Sequence, residues 1–389
     1  MGMAVQDIPK PHDPKMEVPK PTSSLLGDMN EILVGYYTKP GPANDPFKFF
    51  DNKGGDPREA FETIGKKLPV EFYVHERERA KKMVEAFMDF AHKNGYSRGT
   101  KTSDVKAVYW TAAVGSIERA SGMKAPSQGK GKNPTDVLVE FNCSHGRSFL
   151  GNSAKSTKQA EGGIPFANPG VGTVGTELFG NNSALENIVK KTEREMVGNA
   201  AMKKMLPKNW MQLTNGASGT KKKWQKANPA VNDIIKSDWG LLAISRVRDK
   251  VFDKIVNEDW EDITPWLVDF VGGTYLGPKF VKVTGRGTGP YSAALEEPEK
   301  NKKTNAIKKP FLWLETGGQT SIKFFDSETG KNVFNLRFKY ESLPFSSNMK
   351  GSGDSVGKEQ AYFESISEDP KEKKVKTPPK PKKRKHTCG

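Results

Sequence analysis

Apolar positions along the chain follow two rhythms, and each predicts a different element. Leu26, Met29, Ile32, Leu33 and Tyr36 recur at helical spacing, and Pro40-Gly41-Pro42 ends that segment. A second helix is predicted from about Glu76 to Lys93, with the stripe Ala80, Met83, Val84, Phe87, Met88 and Ala91 and a stop at Gly95. Ser103 and Asp104 read as caps for a third, from Val105 to about Ala120. Ser183-Ala184-Leu185-Glu186 has capping-box spacing and opens a further helix that reaches Met205, before Pro207. Another helical rhythm spans Val231 to Val256.

Strand rhythm takes over elsewhere. Asp136 to Phe141 and Ser148 to Ser156 read as two strands joined by a short polar turn, so neighbouring antiparallel strands are predicted. Ser321 to Phe325 and Val333 to Tyr340 read as a hairpin through Glu328-Thr329-Gly330, with Leu336, Phe338 and Tyr340 alternating with Asn335, Arg337 and Lys339. The expected fold class is α/β or α+β, a mixed central sheet flanked by helices with a β-hairpin region towards the C-terminus. The boundaries that follow are a disordered Pro/Lys-rich leader over 1–24 and a core with helical insertions over 25–292. After these come a charged linker over 293–310, a hairpin region over 311–345 and a disordered basic tail over 346–389.

Charge alters this picture most. With 62 Lys and Arg against 46 Asp and Glu, the net charge is +16, and about half of the excess sits beyond Lys371. Both halves suit a polyanionic partner, because phosphate contacts release condensed counterions. The partner is read as DNA, with RNA also open, and a homodimer is compatible with the sequence. No apolar run approaches the roughly 20 residues that cross a bilayer, and the N-terminus lacks a secretory apolar core, so no membrane partner is expected. Cys143 and Cys388 are the two cysteines. That usage suits a reducing, intracellular, non-secreted setting, the nucleus included if the host is eukaryotic. Cys143-Ser144-His145 lacks the further ligands of a zinc site.

Basic clusters mark candidate nucleic-acid contacts. Lys221, Lys222 and Lys223 precede Trp224, mixing charge with an aromatic ring. Lys323, Arg337 and Lys339 share one predicted sheet face, and Lys382, Lys383, Arg384 and Lys385 form either a nuclear-localisation-like run or a nonspecific arm. Gly170 to Gly175 fits G-x-G-x-x-G, but without a strand before it or a helical stripe from Thr176 to Asn182 it reads as a Gly-rich loop.

Asn133-Pro134-Thr135-Asp136 enters one predicted strand, and Ser153-Ala154-Lys155 lies in the next. On these residues the chain resembles the PD-(D/E)xK nuclease superfamily, in an S-x-K variant. The resemblance implies a restriction-endonuclease-like fold, Mg²⁺ (or Mn²⁺) as cofactor and hydrolysis of DNA phosphodiesters. Asp136 would then bind metal, Lys155 would stabilise the transition state, and Ser153 would stand where the family carries an acid. The missing acid has candidates in Glu31, Glu118, Glu161 and Glu177. Glu31 is preferred, because Asn30-Glu31-Ile32-Leu33 is similar to the acid-bearing helix of such nucleases. Glu140 shares the face of Asp136 but lies roughly 13 Å further along the strand. The alternatives are a non-catalytic DNA-binding or packaging protein and a basic viral structural protein.

Overall fold

The structure is a computed structural model. It describes residues 7–12, 21–42, 44–48, 50–51, 53–100, 102–126, 131–143, 146–160, 168–214, 218–270, 274–298, 307, 312–326 and 329–354. The fold is mixed α/β. Two compact units interleave along the chain, Met1–Ala167 with Pro265–Asn305, and Asn168–Thr264 with Ala306–Gly389. Six of the predicted contact residues, Lys221, Lys222, Lys223, Lys323, Arg337 and Lys339, fall in the second of these units, while Lys382, Lys383, Arg384 and Lys385 lie outside the described residues.

In the first unit, helices α1 (Ser23–Thr38), α2 (Pro57–Lys67) and α3 (Val70–Lys93) precede strand β1 (Val105–Trp110) and the short helix α4 (Ser116–Ser121). Strands β2 (Val137–Cys143) and β3 (Gly146–Thr157) follow. Among the described residues the sheet order is β1-β2-β3-β4-β5, completed by β4 (Phe280–Arg286) and β5 (Ser292–Glu296). All pairings are antiparallel except β3 with β4, which is parallel. The predicted hairpin is present, with Val137 opposite Asn152 and Phe141 opposite Ser148.

Alternation decides which face each strand residue takes. Val137, Val139, Phe141, Leu150, Ala154, Val281 and Val283 are buried in one cluster with Met29, Ile32 and Leu33 of α1 and Ala80, Met83 and Phe87 of α3. At about 25 cal/mol per Å², burying each of the Val, Leu, Ile, Met and Phe side chains contributes about 1.5–3 kcal/mol. The Thr22 side chain caps α1 by accepting the Leu25 N–H. Gly35 lets α1 approach the loop before α2, since a Cβ there would lie 2.2 Å from the Phe50 ring.

The second unit holds α5 (Val171–Phe179), α6 (Ser183–Gly198), α7 (Ala200–Met205), α8 (Ser218–Ala227) and α9 (Pro229–Ile234). A π-helical turn over Ile235–Gly240 joins α9 to α10 (Leu241–Asn257), and α11 (Trp260–Phe270) leads back into the first unit. Its sheet is antiparallel in the order β6-β7-β8-β9: β6 (Leu312–Gly317), β7 (Ser321–Asp326), β8 (Asn332–Tyr340) and β9 (Met349–Asp354). Ile322, Phe324, Leu336 and Phe338 are its buried face, as the alternation predicts.

Several expectations need correction. Residues 105–120 form β1 and α4 rather than one helix. A bulge between Val105 and Ala107 breaks the strand's period of two, so Val105, Val108 and Tyr109 imitate helical spacing. The helix predicted from Ser183 to Met205 stops at Gly198, and the Asn199 side chain caps a new one by accepting from Ala201 and Met202. Residues 171–175 are helical, not a loop, because Val171, Val174 and Leu178 supply a buried stripe. The run from 293, expected as a linker, opens inside β5, and β9 occupies 349–354 within the expected disordered tail. Part of the expected leader is also held in place. Ile8 is buried, its carbonyl accepts the Tyr73 hydroxyl at 2.6 Å, and Asp7 pairs with Arg77 and Lys81.

Candidate active site

The site is assembled at the end of the sheet where β1 finishes and β2 begins. Asn133 fixes the approach to β2. Its side-chain oxygen accepts from the Thr135 N–H and hydroxyl, and its amide donates to the Pro278 and Leu276 carbonyls. Thr135 then lies so close to β3 that a Cβ at position 151 would sit 2.0 Å from its hydroxyl oxygen, which makes Gly151 a requirement. Asp136 is held by its backbone on both sides, donating to Asn152 and accepting from Thr111.

Ser153 and Lys155, two residues apart on β3, project on the same face and both address Asp136. Lys155 Nζ lies 2.8 Å from Asp136 Oδ2, and Ser153 Oγ lies 3.5 Å from the same oxygen. Glu31 comes from α1, with Oε2 accepting the Trp110 indole N–H at 3.0 Å. Burial and, after it, the negative charge of Asp136 push the Glu31 carboxyl up to about 8; the Trp110 bond and Lys155 oppose them. Asp28, one turn earlier on the same helix face, is also raised by burial and by Asp136. Burial works to lower the Lys155 ammonium, yet Asp136 and then Glu31 outweigh it and hold the group above its ordinary value.

Four residues singled out in the sequence, Asp136, Ser153, Lys155 and Glu31, are thus brought together. Among the other candidate acids, Glu140 and Glu118 have partners of their own. Glu140 is buried but committed elsewhere, to Tyr109 at 2.5 Å and Lys106 at 3.0 Å. Glu118 accepts the Ala125 N–H, Glu177 belongs to the second unit, and Glu161 lies outside the described residues. Sequence reasoning missed Asp28 and Trp110. The three-residue spacing of Asp28 and Glu31 was the available signal for the first.

Among the described residues no group of three or more His, Cys, Asp and Glu is arranged to hold a metal. Mg²⁺ does not demand one, since it keeps several waters and is commonly held by one or two carboxylates. Asp136 and Glu31 supply that donor set. Glu31 and Asp136 stand close enough for the negative charge of one to raise the other, and a divalent cation held by both would offset that repulsion. These residues therefore fit Mg²⁺ or Mn²⁺.

The sign of the resulting pH dependence is determined. A carboxyl whose folded value exceeds its unfolded one binds more protons when folded, so stability falls as pH rises from about 4.5 to about 8. Glu31→Gln removes this term. Relative to wild type, the variant is expected to gain stability on the order of a few kcal/mol at pH 8 and almost nothing at pH 4.5, measured by denaturant unfolding in EDTA. A gain that does not change with pH would contradict the assignment.

The predicted basic contacts divide. Lys221 is fully buried, ion-paired to Glu193 and set 4.7 Å from the Trp210 ring centre, so it is a structural cation and not a nucleic-acid contact. The helical period of α8 turns position 221 inward, leaving Lys222 half-buried and Lys223 exposed. Lys221→Met is expected to cost about 3 kcal/mol of stability by stranding Glu193, with nucleic-acid affinity of the folded protein unchanged. Chemical denaturation and a filter-binding titration check the two halves. Arg337 and Lys339 are half-buried on β8, on the face opposite Leu336 and Phe338.

Among the described residues no helix is long and apolar enough to cross a membrane. No protein-family model matches the chain, and a search of curated proteins finds no match.

Proposed function

We propose that the chain is a metal-dependent DNA nuclease, a divergent relative of the PD-(D/E)xK superfamily with Ser153 in place of the usual acid. The observation that carries this reading is the convergence of Glu31, Asp136 and Lys155. They come from α1, from the residue just before β2 and from β3, and meet in one electrostatically coupled cluster. Asp136 and Glu31 would hold Mg²⁺, which when bound lowers the pKa of water and offsets charge growing on the phosphoryl oxygens. Lys155, held protonated, supplies positive charge where that negative charge develops. Trp110 fixes the Glu31 carboxyl, and Ser153 adds a hydroxyl beside Asp136 without adding charge.

The test is cleavage of duplex, single-stranded and branched DNA, and of RNA, with Mg²⁺ or Mn²⁺ against an EDTA control. Binding without cleavage on every substrate would replace this reading by a second one, a non-catalytic DNA-binding or packaging protein. Ser153 favours that alternative: it is fully buried and leaves the site one acid short of the family pattern. Under either reading, removing residues 371–389 is expected to weaken DNA affinity and flatten its dependence on salt, because fewer counterions are released. Affinity measured across a salt series in both forms checks this; an unchanged slope would remove the tail from the interface.

A further inference from the structure

Lys155 has neighbours on β4 that the nuclease reading leaves unused. In the parallel β3–β4 ladder Ser153 is paired with Lys282 and Lys155 with Thr284. Register partners on strands about 4.8 Å apart present their side chains to the same face. Val281 and Val283 belong to the cluster beneath α1 and α3, and a Cβ at Gly285 would meet Met83 and Arg79 of α3. Lys282, Thr284 and Arg286 therefore take the opposite face, the one carrying Ser153 and Lys155.

Three cations share that face. Lys282 is buried and ion-paired to Glu296 of β5 at 2.8 Å, and Lys155 is paired to Asp136. Arg286 has no ion pair among the described residues, and its one side-chain hydrogen bond there is a long one, 3.5 Å to the Ala160 carbonyl. Lys155 and Arg286 both act electrostatically on Lys282, so the like charges are close enough to repel. Two donors beside them are buried with no partner among the described residues, the Thr284 hydroxyl and the Arg286 Nε–H. Thr284 is fully buried, and a buried donor left unmet is destabilising. Crowded cations with unmet N–H and O–H donors are the arrangement that an oxyanion satisfies.

The geometry points to a phosphate-binding subsite formed by Lys155, Lys282, Thr284 and Arg286, which holds a backbone phosphate of nucleic acid beside Asp136. It rests on the nuclease reading for its role, but its binding chemistry needs no metal. Arg286 and Thr284 supply the directed donors, while Lys282, tied to Glu296, contributes charge from below. The bound phosphate would share Lys155 with Asp136, which places the neighbouring phosphodiester against the site.

Phosphate binding in EDTA tests this on the full chain. Inorganic phosphate and a short single-stranded oligonucleotide are titrated at low ionic strength into wild type, Thr284→Val, Arg286→Gln and the exposed control Lys93→Gln, with folding verified by circular dichroism. Saturable binding of both probes is expected in wild type and in the control, weakened about fivefold by Thr284→Val and about tenfold by Arg286→Gln. Absence of saturable phosphate binding, or equal binding in all four proteins, overturns the subsite. Variant-sensitive binding of inorganic phosphate but not of the oligonucleotide overturns its assignment to a nucleic-acid backbone. Cleavage with Mg²⁺ is scored separately. Cleavage without phosphate binding removes the subsite alone, and variant-sensitive binding of both probes without cleavage removes the nuclease reading alone.

Discussion

Asp136→Asn is expected to abolish Mg²⁺-dependent cleavage of DNA while leaving the protein folded. The substitution keeps the size of the side chain and the backbone bonds to Asn152 and Thr111, which do not involve the carboxylate. What it removes is charge. A neutral amide is a poor ligand for a hard divalent ion, and Lys155 loses the partner 2.8 Å away that holds its ammonium in position. It also removes the negative charge that, after burial, raises Glu31, so the Glu31 carboxyl should titrate closer to its ordinary range in the variant. Initial rates under single-turnover conditions, with oligonucleotide affinity measured in EDTA, separate the two effects. Cleavage at the wild-type rate would end the assignment of Asp136 as the metal-binding carboxylate. Ser153→Asp is the informative companion: if Glu31 has taken over the family's acid, an added carboxylate should tighten metal binding.

Lys155→Ala is expected to lower turnover by about 10²–10³ with metal affinity nearly retained, the usual loss when one preorganised electrostatic stabiliser is removed. The structure gives the reason for the split. Lys155 contributes no ligand atom, and its ammonium is held protonated chiefly by Asp136 against the cost of burial. Without it Asp136 keeps its carboxylate and its backbone supports. Turnover at saturating Mg²⁺, set beside a calorimetric titration of the metal, reads both quantities. A parallel fall in metal affinity of the same size would make Lys155 a structural partner of Asp136 and nothing more.

How much of this was legible follows from the range over which each signal acts. Asp136, Ser153 and Lys155 could be read directly because an alternating strand, a short turn and a second strand are local events. Glu31 could be singled out only through the resemblance of Asn30-Glu31-Ile32-Leu33 to the acid-bearing helix of the nuclease family, since the apolar stripe of Ile32, Leu33 and Tyr36 predicts the helix and not its neighbour across the fold. Trp110 could not, since the β1 bulge gives Val105, Val108 and Tyr109 helical spacing and conceals the strand that carries it. Lys282, Thr284 and Arg286 were illegible for a different reason. Their neighbour is a parallel strand far away in sequence, and no short-range pattern announces a parallel pairing. Lys221 shows the converse error. A run of lysines looks like a surface until the helix period assigns one of them inward.

The parallel pairing of β3 with β4 also has a meaning in time. About 120 residues separate Thr157 from Phe280, and closing so long a connection costs entropy before any ladder bond returns it. During synthesis at roughly 5–20 residues per second, β4 leaves the ribosome about 6–25 s after β3. Throughout that interval β1, β2 and β3 can pair, and Asp136 can meet Lys155, while the far edge of β3 stays unpaired and open to a wrong strand. The half of the site that lies on β3 and just before β2 is therefore born early, and the half on β4 arrives late. A strand that pairs with that waiting edge would compete directly with β4 for it.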